Sequence, residues 1–84
     1  MCVLTAREPL PAAIRHINAR EAFLETNARP PLGAAVSLSH PEAGEIAAYV
    51  RAVAEDGITI AFAPDPRAVA FALAAIAADM SEPG

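Results

Sequence analysis

The spacing of apolar residues changes period several times along this chain, and each change marks an expected element. In "AAVSLS" after Gly33, Val36 and Leu38 alternate with Ser37 and Ser39, the two-residue period of a strand with one wetter face. "ITIAFA" at 58–63 is a β-branched and aromatic run that reads as a buried strand. "CVLT" at 2–5 reads as a third, short one. Between these runs the spacing lengthens. Leu10, Ile14, Ile17 and Leu24 fall on one helical face, which predicts a helix from Pro11 to about Asn27. Glu21 falls inside that stripe and Phe23 opposite it, and Asn18-x-x-Glu21 has capping-box spacing, so a break is expected near Asn18.

Ser39-x-x-Glu42 is a second capping box, with Pro41 in the first turn. Ile46, Tyr49, Val50 and Val53 follow at helical spacing until Asp56-Gly57, which predicts a second helix. Asp65 as N-cap and Pro66 at the first helical position then launch a third helix through "DPRAVAFALAAIAADM". Strand, helix and strand across 34–63 have the length of a βαβ unit. The expected fold is therefore a small α/β or α+β domain in βαβαβα order, with about three helices on a sheet of two or three strands. In the α/β form the strands are parallel. In the α+β form they pair with the N-terminal strand or with a second copy. Residues 1–84 are read as a single domain, with "ARPPLG" at 28–33 as an internal Pro/Gly hinge and 81–84 as a flexible tail.

The third helix poses the functional question, because it carries no charge between Arg67 and Asp79. Val69, Leu73, Ile76 and Met80 form one stripe, expected against the sheet. Phe71, Ala74, Ala75 and Ala78 form a second, roughly opposite, whose small residues permit close helix–helix approach around an aromatic anchor. That second stripe is read as an oligomer or partner interface unless the first helix covers it, since a large apolar patch is unusual on a monomer.

Composition narrows the function classes. With 55% hydrophobic residues and a positive mean hydropathy the chain is expected to fold. Much of that fraction is alanine, so the core is thin and association is a natural supplement. A single cysteine, Cys2, excludes an intramolecular disulfide and favours a reducing compartment. The N-terminus has no signal-peptide pattern, and the apolar run 68–78 is too short to span a bilayer, so a cytoplasmic protein without membrane contact is expected. The net charge is −4 and the six basic residues, all arginine, are scattered, which disfavours direct nucleic-acid binding.

No residue pattern names a reaction. His16, His40 and Cys2 lack metal-ligand spacing, so no metal and no cofactor are expected. Ser39-His40 is not a nucleophile–base pair, because triad members must meet in space. In the parallel-sheet form, "SLSHPE" and "APDPR" would lie at adjacent strand ends, where His40, Asp65 and Arg67 form a candidate small-anion site. Glu42, Glu45, Glu55 and Asp56 gather around the expected second helix as a candidate acidic face for a basic partner. The function expected by elimination is non-enzymatic: a small acidic module that binds a protein partner stoichiometrically as inhibitor or regulator. Its most concrete form is a phage- or mobile-element-encoded inhibitor of anti-CRISPR type, using an acidic face against a basic nucleic-acid-binding target. The alternative is a small-anion-sensing accessory domain.

Overall fold

Among the described residues, six antiparallel strands close on themselves, and one helix lies across an end of the resulting barrel. The structure, a computed structural model, describes residues 2–81, with side chains through Ala78. The strands are β1 (Cys2–Thr5), β2 (Pro9–Ile17), β3 (Glu21–Glu25), β4 (Ala35–His40), β5 (Gly44–Val53) and β6 (Gly57–Phe62), followed by α1 (Pro66–Ser81). Around the barrel the order is β1-β2-β3-β6-β5-β4, and β1 closes the ring by pairing Val3 with Ser39 and Leu4 with Leu38 of β4. Closure removes the exposed sheet edges that a flat sheet of this size would present.

The fold corrects the expected α/β or α+β domain with three helices on a two- or three-stranded sheet. The strands expected at 2–5, 36–39 and 58–63 exist, but every pairing is antiparallel and no βαβ crossover forms. The expected first helix is the β2–β3 hairpin, and the expected second helix is the β4–β5 turn together with β5. Both errors share a cause. β2 carries a bulge between Ile14 and His16, and β5 carries another between Val50 and Ala52. A bulge adds a residue to one strand and shifts the alternation by one. Ile14 and Ile17, and likewise Val50 and Val53, thereby take the three-residue spacing of a helix.

Inside the barrel the two-residue period is intact. Leu4, Leu24, Leu38, Val50, Ile58 and Ile60 are the largest fully buried side chains and come from five of the six strands; Ala12 adds the sixth. A six-stranded ring is narrow enough for such side chains to fill it. In β5 the inward set is Ile46, Ala48 and Val50, while Ala47 and Tyr49 face out. Alanine on both faces conceals the alternation in the sequence.

Turn chemistry closes the ends. Asn18 Oδ1 accepts the N–H groups of Arg20 (2.8 Å) and Glu21 (3.0 Å), so the β2–β3 turn falls where the break near Asn18 was expected. Gly44 opens β5 with φ of 91°, a conformation that costs a side-chain-bearing residue strain. Gly57 is required for a different reason: a Cβ there would overlap the carbonyl oxygen of Leu24 on the facing strand. The Pro/Gly segment 28–33 crosses the end of the barrel away from α1. There Arg29 donates to the carbonyls of Thr26 and Ala28 (2.8 Å each) and of Glu55, tying the segment to the β5–β6 turn. Residues 82–84, most of the segment read as a tail, lie outside the described residues.

Candidate interaction surface

The helix begins as the sequence suggests. Asp65 Oδ1 accepts the Arg67 N–H at 2.8 Å, its carbonyl accepts the Ala68 N–H at 3.0 Å, and Pro66 occupies the first helical position, where it has no N–H to leave unpaired. The faces, however, are the reverse of those expected. Ala68, Phe71, Ala72 and Ala75, at helical spacings of three, one and three, are all buried. Phe71 rests on Phe62 of the barrel core with ring centroids 6.0 Å apart and meets the His40 ring edge-on at 6.2 Å. Val69, Leu73 and Ile76, the stripe expected against the sheet, are 47%, 63% and 38% exposed. Met80, the fourth member of that stripe, lies outside the described side chains.

Geometry accounts for the inversion. A helix seated over the mouth of a filled barrel must come close, and alanines permit that approach while one large ring plugs the opening. The bulkier aliphatic residues are left facing out. Of the four residues read as an oligomer interface, Phe71 and Ala75 are therefore covered by the chain's own barrel, and Ala74 and Ala78 are half-buried at its margin.

The outer face is apolar along its described length, because Ala70 and Ala77 flank Val69, Leu73 and Ile76 and are also exposed. It continues past the helix start into an open groove of about 690 Å³ that Val69 and Leu73 share with Ala19, Pro64 and Pro66. Arg20 and Asp65 stand in the same groove and place one charge of each sign at its edge.

The other candidate residues are dispersed. Glu42 and Glu45 sit in the β4–β5 turn and at the start of β5, whereas Glu55 and Asp56 follow the end of β5. The eight strand residues Ile46–Val53 separate the two pairs by roughly 26 Å. The four carboxylates thus occupy opposite ends of the barrel instead of one helix face. Glu45 accepts a hydrogen bond from Ser39 Oγ at 3.1 Å, so this serine serves a cross-strand pair and not a helix cap.

His40, Asp65 and Arg67 lie at the α1 end, but β5 separates β4 from β6, so their loops are not adjacent strand ends. Asp65 and Arg67 border a small depression of about 110 Å³ together with Glu45, which gives it two carboxylates for one guanidinium. His40 Nδ1 is engaged by the backbone N–H groups of Glu42 and Ala43. This arrangement favours no anion. Arg15 forms an exposed ion pair with Glu25 at 2.6 Å, and His16 is exposed on β2. Among the described residues, no three His, Cys, Asp or Glu side chains gather as a metal site.

Comparison with protein-family models, curated proteins and solved structures found no match. Among the described residues, no helix is long and apolar enough to cross a membrane.

Proposed function

We propose that this chain is a non-enzymatic protein-binding module that engages its partner through the outer face of α1. The observation that carries the reading is that the larger aliphatic residues of the helix, Val69, Leu73 and Ile76, face outward although Ala68, Ala72 and Ala75 face the barrel. A helix that only closed a barrel would place polar residues on its outer face.

Magnitudes favour a different protein over a second copy as occupant. The exposed fractions of Val69, Leu73 and Ile76 amount to about one and a half side chains, so burying them gains about 2–4 kcal/mol. A symmetric pair doubles this to about 4–8 kcal/mol, which the cost of association, about 4–15 kcal/mol, consumes. A partner with an apolar cleft that closes over both the stripe and the groove at Pro64 and Pro66 gains more from the same helix.

Inhibition or regulation of such a partner by one-to-one binding in the cytoplasm draws its support from the exposed apolar stripe of α1 and the single cysteine. The anti-CRISPR-type version, which needs one acidic face, draws less support, because its four carboxylates are divided between the barrel ends. The test is capture from the native host with wild type, Leu73→Glu, and the double variant Glu42→Lys/Glu45→Lys. A protein retained at one-to-one ratio by wild type and the double variant, and lost by a folded Leu73→Glu, supports the helix face. Loss with the double variant alone moves the site to the acidic turn.

A further inference from the structure

Among the described residues, four side chains accept backbone N–H groups two or three residues on: Asn18, Thr26, Asp65 and His40. Asparagine and aspartate are common in that role, since a short side-chain oxygen reaches the amides two and three residues on. His40 fills it with a ring nitrogen. Its Nδ1 accepts from the Glu42 and Ala43 N–H groups, both at 3.0 Å. It can do so only while Nδ1 carries no proton, which puts the ring hydrogen on Nε2. In the imidazolium form both nitrogens carry hydrogens, and Nδ1–H would confront two backbone donors.

The same ring reaches the helix. It meets Phe71 edge-on, 6.2 Å between centroids at 85°, and Phe71 is buried against Phe62 of the barrel core. We propose that His40 is a pH-sensitive latch between the β4–β5 turn and α1. Neutral, it closes the turn and holds the seat of Phe71. Protonated, it releases the Glu42 and Ala43 amides and loosens α1 at the mouth of the barrel.

The ionisable groups on the elements that meet at this point are Glu42 in the turn, Glu45 on β5, Cys2 on β1, and Asp65 and Arg67 at the start of α1. Glu42 and Glu45 are exposed, so they offer acceptors to an imidazolium that has left the turn for solvent. The sign follows. The closed turn needs an Nδ1 that carries no proton, so its contribution is present while the ring is neutral and is lost as falling pH protonates it. The latch goes beyond the binding role proposed for the outer face of α1 and does not depend on it.

The experiment is amide-resolved NMR with hydrogen exchange on the full chain between pH 7.5 and 5.5, for wild type, His40→Asn and His16→Asn. In wild type, exchange at Glu42 and Ala43, corrected for its intrinsic pH dependence, is expected to speed about tenfold or more with the midpoint of the His40 ring. Amides around Phe71 follow, while Arg20 and Glu21, in the turn closed by Asn18, do not. His40→Asn keeps an acceptor that does not titrate and loses the response; His16→Asn retains it. The proposal is overturned if the ring titrates while Glu42 and Ala43 keep their exchange rates, or if His40→Asn shows the wild-type response. A turn that opens without any change around Phe71 overturns the link to α1. The comparison of the two turns within wild type needs no variant, so it stands even if His40→Asn does not fold.

Discussion

Replacing one residue on each face of α1 separates the two sides of the helix by an energy difference large enough to measure. Phe71 is 3% exposed and touches Phe62 and His40, so Phe71→Ala removes a buried ring and leaves a cavity that the alanine-rich surroundings refill poorly. Such substitutions cost about 3–5 kcal/mol. For a chain of 84 residues the total stability is on the order of 4–12 kcal/mol, so the variant loses roughly a quarter or more of it. At about 4–8 °C per kcal/mol the melting temperature falls by at least 12 °C.

Leu73 is 63% exposed, and only the remaining third of its side chain contributes to the fold. Leu73→Ala therefore costs about 0.5–1 kcal/mol, partly offset by the better helix propensity of alanine. Urea denaturation followed by circular dichroism gives both values, read as midpoint shifts at constant slope. If Phe71→Ala proves too unstable to purify, Phe71→Leu reports the same face at lower cost. A larger loss for Leu73→Ala than for either Phe71 variant would refute the orientation of α1 and with it the exposed stripe.

Three further outcomes test the frame that holds the helix. Gly57→Ala is expected to cost several kcal/mol or to prevent folding, because the Leu24 carbonyl cannot retreat without breaking the β3–β6 pairing; soluble yield and thermal melting report it. Thr26→Val keeps the volume of a residue 8% exposed but removes the hydroxyl that donates to the Pro11 carbonyl at 2.9 Å and accepts from the Ala28 N–H at 3.3 Å. It should cost about 1–3 kcal/mol in urea titration. Asp65→Ala removes the acceptor at the helix start and should lose about 1 kcal/mol, with amide exchange accelerated in the first turn of α1 before the rest.

The strands at 2–5, 36–39 and 58–63 and the start of α1 at Asp65-Pro66 were legible because nothing interrupts their local signals. β2 and β5 were not, since a bulge in each places Ile14 with Ile17, and Val50 with Val53, at helical spacing. The inward alternation of β5 passes through Ala48, between outward Ala47 and Tyr49, so hydrophobicity alone does not separate the faces. The faces of α1 were inverted for a related reason. Hydrophobicity ranks Val69, Leu73 and Ile76 above the alanines, whereas the barrel mouth selects residues by size. The spacing of Ala68, Phe71, Ala72 and Ala75 was present in the sequence, but nothing local gave it precedence. Strand closure, which pairs β1 with β4, is a long-range property that no single segment contains.

The central claim is that α1 binds a partner with one face while closing the barrel with the other. The direct measurement is calorimetric titration of the captured partner with Leu73→Glu, beside the thermal melt of the same variant. A central interface residue is worth about 2 kcal/mol or more, so the account expects binding weakened at least 30-fold with the melting temperature within a few degrees of wild type. Unchanged affinity in a folded Leu73→Glu would contradict it.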